Sequence, residues 1–219
     1  MTKIPITIQF HHSLHIGSTT HNREDIDIPI IKKPSPKYGK KTPYIPANAI
    51  KGHMRNLAFN ILHHLFQDQE TQKIQQKSSH MDDMNDVATH PFVSLFGAPN
   101  IPGKLRFTDA NVKNLNKEHV RIKTGINIDR TLQITKPQAL FNYEIADIGK
   151  MEFEIETIFL NEKEKALLFG LLNAMKNSTL GGKGTIGAGC IIDVDIKNQD
   201  FKKQAKQCLE KVLKQKESK

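Results

Sequence analysis

The sequence has no tryptophan and only two cysteines, Cys190 and Cys208. Two cysteines that form no C-x-x-C pair are too few for a disulfide scaffold or a cysteine-based zinc site, so a reducing compartment is expected. No apolar run approaches the length of a membrane span, and the N-terminus lacks the apolar core of a signal peptide. The sequence therefore predicts a soluble cytoplasmic protein with no membrane partner.

The charge of the chain is strongly biased towards cations. Its 32 lysines and arginines outnumber its 23 acidic residues, which gives a formal net charge of +9. Such a surplus favours an anionic partner, usually nucleic acid, because neutralising phosphates releases their counterions. The segment 199–219 alone holds seven lysines and three acids and has the pattern of a basic amphipathic helix. A solvated helix face would explain the charge of that segment equally well.

The apolar pattern along the chain mixes strands with helices. Residues 4–10 and 151–158 alternate apolar and polar residues, which indicates half-buried strands. Asn48 is the predicted N-cap of the first helix, and another helix is expected over about 162–176. A polar loop is expected between the first strand and about Pro43. The order of elements predicts an α+β fold around an antiparallel sheet, in one domain over residues 1–219.

The most informative stretch is residues 180–189, called the glycine loop below, which holds five of the 13 glycines and one lysine. Residues 182–187 satisfy the G-x-G-x-x-G pattern of dinucleotide sites. That fingerprint follows a strand and opens a helix, whereas here a helix precedes the glycines and a β-like run follows them. Beside the basic surplus, the loop therefore favours a nucleic-acid backbone over a mononucleotide. A plain turn without a ligand is the alternative.

Five pieces of sequence, in this order, resemble the RAMP superfamily of CRISPR-associated RNA-binding proteins, and most closely the repeating backbone subunit of type III effector complexes. Any one piece would be weak evidence, but the five together are specific and span roughly residues 14–189. They are Leu14–Ser18, Ile45–Arg55, Leu95–Gly97 with Arg106–Ala110, Asn127–Arg130 with Ala139–Glu144, and the glycine loop.

The resemblance implies a modified ferredoxin-like palm of the RNA-recognition-motif type. It adds a helical insertion at about 60–100 and a β-hairpin thumb at about 121–149. Residues 67–89, which are polar and almost without core residues, fit a mobile insertion. The resemblance also implies that copies of the protein bind a CRISPR guide RNA in a helical filament. They would present it to complementary target RNA or DNA and associate with other effector subunits.

Candidate RNA ligands on the palm follow from these motifs. Lys51 and Arg55, spaced i, i+4, lie on one face of the predicted helix, whose N-terminus also attracts phosphate. Ordinary solvated cations are the alternative. His15 follows the first strand, where an imidazole could donate to a phosphate or a 2′-OH; a structural histidine is the alternative. The candidates on the palm are His15, Gly17, Ser18, Asn48, Lys51, Arg55, Gly181, Gly182, Lys183 and Gly184.

The predicted thumb supplies a second group of candidates. Its cations would hold the RNA backbone while an apolar tip wedges between bases; a surface hairpin without a ligand is the alternative. Aromatic residues make up only 6% of the chain, which argues against a platform of stacked bases and suits a carrier of guides of any sequence. The candidates here are Arg121, Lys123, Asn127 and Arg130, with Leu132 and Ile134 near the tip.

In type III relatives, the loop after the first strand carries an aspartate that cleaves target RNA. Asp27 matches that position best and Asp25 is the alternative, although this loop is charged where relatives have small residues. A Mg²⁺ or Mn²⁺ ion would then help the target 2′-OH to attack its own phosphate. Two other hypotheses stay open. One is a catalytically silent scaffold without a cofactor, served by a separate nuclease. The other is a guide-processing endoribonuclease of the same superfamily, with His15 as the base.

Overall fold

The structure is a computed structural model that describes residues 1–18, 25–65, 70, 73–74, 88–113 and 120–217. The α-helices in these ranges are α1 (Ala47–Asn60), α2 (Pro91–Phe96), α3 (Glu162–Ala174) and α4 (Gln199–Glu217). The strands are β1 (Thr2–Phe10), β2 (Lys32–Ser35), β3 (Lys40–Ile45), β4 (Leu105–Phe107), β5 (Ala110–Val112), β6 (Val120–Ile128), β7 (Thr135–Ala146), β8 (Lys150–Thr157) and β9 (Ile191–Ile196). Helices mixed with antiparallel strands confirm the predicted α+β fold.

A seven-stranded antiparallel sheet forms the centre of the molecule. Its strand order is β2-β3-β5-β8-β1-β9, and β4 also pairs with β8. β1 and β8 pair along their whole length, from Thr2 opposite Thr157 to Gln9 opposite Lys150. This order is compatible with the ferredoxin-like palm, which stays a prediction. The remaining two strands, β6 and β7, form a separate hairpin.

The core lies between the sheet and the helices. Ile4, Ile6 and Ile8 of β1 are at most 1% exposed, as their alternation predicted. Helix α1 contributes Ile50, Met54 and Ala58, four residues apart and therefore on one face. Burying a large aliphatic side chain stabilises the fold by about 1.5–3 kcal/mol, so this contact fixes the helix on the sheet.

The start of α1 differs from the prediction. The helix begins at Ala47, and Asn48 lies inside its first turn without acting as the cap. The cap comes from Asp109, whose Oδ1 accepts a hydrogen bond from the Ala47 N–H at 2.9 Å. Burial opposes the charged carboxyl of Asp109, but hydrogen bonds from Lys33 and Ala47 outweigh it and lower its pKa. A distant carboxylate thus replaces the local cap that sequence spacing favoured.

The prediction of a polar loop up to about Pro43 is also partly wrong. β2 and β3 form a hairpin in which Lys32 lies opposite Pro43, and Tyr44 then pairs with β5. The two strands are too lysine-rich to alternate clearly, and β2 is the edge strand of the sheet, where lysine is common.

The two ends of the predicted insertion are described, and most of residues 66–87 lie outside the described residues. Helix α1 continues as a π-helical turn, Ile61–Leu65. Helix α2 buries Phe92, Val93, Leu95 and Phe96, so this part of the segment belongs to the core. At the C-terminus, α4 covers most of the predicted basic helix and packs against α3. In the described part of the chain, no helix combines the length and apolar character needed to cross a membrane.

Candidate nucleic-acid interface

The glycine loop lies against the chain that leaves β1. The Gly182 N–H donates to the His15 carbonyl at 2.8 Å, and the Gly189 N–H donates to the Ser13 carbonyl at 2.6 Å. The loop closes on itself through the Leu180 N–H and the Gly189 carbonyl, 2.9 Å apart. The structure therefore brings together two motifs that are about 165 residues apart in the sequence.

Close approach within the protein explains at least two of the glycines. Gly181 has φ +95°, and a Cβ there would lie 2.5 Å from the His15 carbonyl oxygen. Gly189 has φ +75°, and a Cβ there would lie 2.0 Å from the Leu180 carbonyl oxygen. Both positions exclude any other residue whether or not a ligand binds.

The N–H groups of the glycine loop divide into two sets. Those of residues 180, 182 and 186–189 donate to carbonyl oxygens of the protein. No acceptor among the described residues takes the N–H groups of Gly181, Lys183, Gly184 and Thr185. Only this second set is available to an anion, so the part of the loop that can meet a phosphate is narrower than the sequence implied.

Lys183 connects the glycine loop to the β6–β7 hairpin. Its Nζ lies 4.9 Å from the ring centre of Phe141 and 4.8 Å from that of Tyr143, within the range of a cation–π contact. The backbone of Lys183 is left-handed, with φ 62°, which is uncommon for a residue with a side chain. The ammonium of this predicted RNA ligand is therefore held over two aromatic rings at the base of the hairpin.

The hairpin has two chemically different faces. Residues directly opposite each other on paired strands share a face, so Arg121 and Lys123 lie on the face that carries Phe141 and Tyr143. Gly125 makes room on that face for the Phe141 ring, whose Cζ would lie 2.4 Å from a Cβ at residue 125. The other face carries Ile122, Ile126 and Leu140, which are 46–67% exposed. Cations, aromatic rings and the glycine loop thus meet on one side of the hairpin.

Arg121 is held by an ion pair at the base of the hairpin. Its Nη2 donates to Asp147 Oδ1 at 2.9 Å, and its Nε contacts Asp147 Oδ2. The hydrogen bond from Arg121 to Asp147 raises the pKa of the guanidinium. Because both groups are partly exposed, the pair stabilises the fold little but orients the guanidinium.

The tip of the hairpin carries the other predicted thumb residues. Asn127 and Arg130 are exposed there, some distance along the strands from Arg121 and Lys123. Leu132 and Ile134 are 65% and 57% exposed, as an apolar wedge requires. Asp129 orders this turn: its Oδ1 accepts hydrogen bonds from the N–H groups of residues 131 and 132. The aspartate of this motif therefore has a structural role.

His15 is buried beneath the glycine loop, with 4% of its surface exposed. Its Nδ1 lies 2.7 Å from the Glu144 carbonyl oxygen, and its ring packs edge-on against Tyr143. A proton on Nδ1 makes that hydrogen bond and leaves Nε2 of the neutral ring as an acceptor, which cannot donate to a phosphate. Gly17 is exposed beside this ring, and the Ser18 N–H donates to the Pro29 carbonyl. The geometry therefore favours a structural role for His15 over direct RNA contact.

Asp27 is exposed and attached to the hairpin. Its Oδ2 accepts a hydrogen bond from the Asn142 N–H at 2.6 Å, and its own N–H donates to the Asn142 carbonyl. The Asn142 side chain in turn donates to the Asp25 carbonyl. On either side of Asp27, Ile26 and Ile30 are buried, which fixes the segment between β7 and residues 14–18. One carboxylate oxygen of Asp27, Oδ2, thus attaches this segment to β7.

The described residues do not offer a complete protein site for a divalent cation. No group of three ligating side chains occurs among them. Asp27 has one carboxylate oxygen bonded to the hairpin, which leaves the other as a single possible ligand. A hard cation bound through one carboxylate would need RNA phosphate oxygens and water to complete its shell.

The candidates on α1 form a separate cluster. At 100° per residue, Asn48, Lys51 and Arg55 fall within about 60° of each other on the helix surface. The Arg55 guanidinium lies 5.5 Å from the ring centre of Phe92 in α2. His53, about 200° from Lys51, points to the other side, where its Nε2 lies 2.9 Å from Ser178 Oγ just before the glycine loop. The structure therefore does not bring the stripe formed by Asn48, Lys51 and Arg55 together with the glycine loop.

The helix start is also less receptive to phosphate than the sequence implied. The N–H of Ala47 donates to the carboxylate of Asp109, and the N–H groups of Ala49 and Ile50 donate to the Pro46 carbonyl. A carboxylate at this position opposes a second anion. Side chains of Asn48, Lys51 and Arg55 are therefore better placed for an RNA contact than most N–H groups of the first turn.

Sequence reasoning missed an open groove of about 590 Å³ between the end of β1, the base of the hairpin and the glycine loop. It is lined by His11, His12, Ser13, Arg121, Lys123, Asp147, Gly149, Ile186 and Gly187. The dipeptide His11–His12 directly after the first strand was the available signal, but only the fold shows that it faces the cations of the hairpin.

The chain matches one known protein family. The family model of the RAMP superfamily matches residues 7–192, which include the end of β1, the hairpin, the glycine loop and the first two residues of β9. Helix α4 lies beyond the matched residues. No match was found among curated proteins.

Proposed function

This chain belongs to the RAMP superfamily, and from that membership we propose that it is an RNA-binding backbone subunit of a CRISPR effector complex. Family membership by itself suggests a CRISPR-associated role in RNA binding. The backbone role adds that copies of the chain assemble along the guide RNA and present it to a complementary target.

One observation carries the proposal: cations from distant parts of the sequence meet on one face beside the glycine loop. Lys123 and Arg121 come from β6, and Lys183 comes from the loop itself. Three N–H groups of the loop, at residues 183–185, lie beside them without an acceptor among the described residues. Cations and backbone N–H groups bind phosphates without reading bases, which is what a carrier of varied guide sequences needs.

The geometry favours this function over guide processing. A processing enzyme that used His15 as its base would need that imidazole exposed to the RNA. Instead the ring is buried and one nitrogen is hydrogen-bonded to Glu144. Target cleavage through Asp27 remains a second candidate, because Asp27 is exposed on the segment that borders the hairpin.

The test is the salt dependence of RNA affinity. We expect labelled single-stranded RNAs of unrelated sequence to bind with similar affinity, and Lys123→Ala to reduce the slope of log affinity against log salt by about 0.7. Lys202→Ala is the matched control, because Lys202 is an exposed lysine on α4, which starts near the other end of β1. An unchanged slope in Lys123→Ala, or strong preference for one sequence, would contradict the proposal.

The assembly part of the proposal has its own measurement. Sedimentation of the protein with RNAs of increasing length should give particles whose mass rises with RNA length. A constant one-to-one complex on long RNA would leave an RNA-binding protein that is not a backbone subunit.

A further inference from the structure

We propose that the groove beside His11 and His12 binds one phosphodiester group of the RNA backbone, with both imidazoles and the Lys123 ammonium as its ligands. This inference rests on the proposed RNA-binding function and adds a specific subsite to it. Neither histidine belongs to the motifs that carried the family resemblance.

The backbone around the two histidines is fixed although their side chains are exposed. The Phe10 N–H donates to the Gly149 carbonyl and the His11 N–H donates to the Cys190 carbonyl, each at 2.9 Å. These bonds attach the end of β1 to both walls of the groove. The two rings converge, with centroids 3.8 Å apart and planes at 79°. Two exposed imidazoles in contact on a fixed backbone can each donate an N–H to one shared ligand.

The charges that face the imidazoles favour a single anion. Arg121 and Asp147 neutralise each other as an ion pair. Lys123 is exposed, and no carboxylate among the described residues pairs with it. The groove thus carries one uncompensated positive charge before either histidine is protonated. A phosphodiester carries one negative charge and offers two unesterified oxygens to such donors.

The apolar part of the lining points to a polymer backbone more than to free phosphate. Ile186 is 59% exposed on the glycine-loop side of the groove. Gly187 beside it has φ +84° and no atom within 4 Å of where a Cβ would lie. A ribose can pack on this uncharged surface while its phosphate meets the cations opposite.

The pH dependence of RNA affinity distinguishes phosphate binding by the two histidines from a purely structural role. Histidine side chains gain a positive charge in the range of about pH 5–8. The charged groups that line the groove beside the imidazoles are Lys123, Arg121 and the opposing carboxylate of Asp147. A phosphate interacts more strongly with a protonated imidazole than with a neutral one, so binding should become tighter at lower pH.

The experiment compares the wild-type protein with His11→Asn/His12→Asn, using a fluorescein-labelled single-stranded RNA and its deoxy equivalent at about pH 6 and about pH 8. Loss of one solvent-exposed hydrogen bond of ordinary strength corresponds to roughly a fivefold loss of affinity. We expect about that loss at the lower pH, less than a twofold loss at the higher pH, and the same factors for DNA, since the contact is to phosphate. His63→Asn is the matched control, because its ring contacts Phe59 on the α1 side.

The outcomes separate this inference from the function on which it rests. If the wild-type protein binds RNA but the double variant binds equally well at both pH values, the groove subsite is refuted and the proposed function stands. An equal loss at both pH values would also refute it, because it would assign the histidines a structural role. If the wild-type protein binds neither nucleic acid, the proposed function itself fails. Melting temperatures of all variants establish that they are folded.

Discussion

Two substitutions of Asp27 separate its structural role from a catalytic one. Asp27→Ala removes the carboxylate and leaves the Asn142 N–H without its acceptor. Asp27→Asn removes the charge, but its side-chain oxygen can still accept that hydrogen bond. Both variants lose the charge, but only Asp27→Ala also loses the hydrogen bond to the Asn142 N–H. Any property that both variants lose therefore depends on the carboxylate charge.

The free energy that the hydrogen bond between Asp27 and Asn142 contributes depends on its charge and its exposure. A hydrogen bond to a charged group contributes about 1.5–3 kcal/mol when buried, and exposure of Asp27 reduces this to about 1 kcal/mol. That free energy corresponds to roughly a fivefold change in local opening. We therefore expect amide hydrogen exchange at Asn142 to be about fivefold faster in Asp27→Ala and less than twofold faster in Asp27→Asn. Equal exchange rates in all three proteins would show that the hydrogen bond contributes nothing.

The chemistry is tested in the assembled complex with guide RNA and Mg²⁺ or Mn²⁺. If Asp27 assists cleavage, the wild-type complex cuts a complementary RNA at regular spacing, and both variants lose at least about a hundredfold in rate while guide and target binding change less than twofold. Asp25→Asn is the neighbouring control. Cleavage retained by Asp27→Asn would refute the catalytic assignment. An intact target in the presence of wild-type complex and metal would leave the scaffold function.

Four further substitutions test other parts of the structure. Lys51→Ala should flatten the salt slope of RNA binding by about 0.7 without loss of stability, whereas Arg55→Ala should also lower the melting temperature, because its guanidinium packs on Phe92; equal melting temperatures would contradict that contact. Glu164→Ala removes a 1% exposed carboxylate and should cost about 2–4 kcal/mol of unfolding free energy, measured with urea. Burial opposes the charged carboxyl of Glu164, but hydrogen bonds from Lys104 and Ser94 outweigh burial and lower its pKa. The stabilising effect of Glu164 should therefore be present at neutral pH and disappear as the pH falls below about 4. Gly189→Ala should lower the melting temperature measured by circular dichroism, since its Cβ would collide with the Leu180 carbonyl oxygen; an unchanged melting temperature would contradict this prediction.

The structure also changes how a glycine substitution in the loop must be interpreted. A Cβ at Gly184 would lie 2.7 Å from Thr179 Cγ2, and one at Gly182 would lie 3.1 Å from His15 Cδ2. A bulky residue at either position therefore disturbs the protein before any RNA arrives. Loss of RNA binding in such a variant would not identify the loop as an RNA ligand, which is why the tests above use exposed lysines and histidines.

The sequence by itself determined the elements whose signal is local. The alternation of residues 151–158 and the apolar spacing in α1 and α3 predicted a strand and two helices, because side-chain period follows directly from backbone geometry. Family motifs, which depend on residue identity in order along the chain, likewise predicted the RAMP superfamily, and the family match confirms it. Net charge predicted an anionic partner, which remains a prediction.

Only the tertiary structure decided which of the candidate residues act together. Contacts between residues far apart in sequence have no periodic signal, so neither the Asp109 cap on α1 nor the bond from Asp27 to Asn142 could be read from spacing. Burial likewise depends on the packed elements, which is why His15 matched a ligand motif and yet lies beneath the glycine loop. The same packing places His11 and His12 opposite Lys123, because the end of β1, the hairpin base and the glycine loop meet at one end of the sheet.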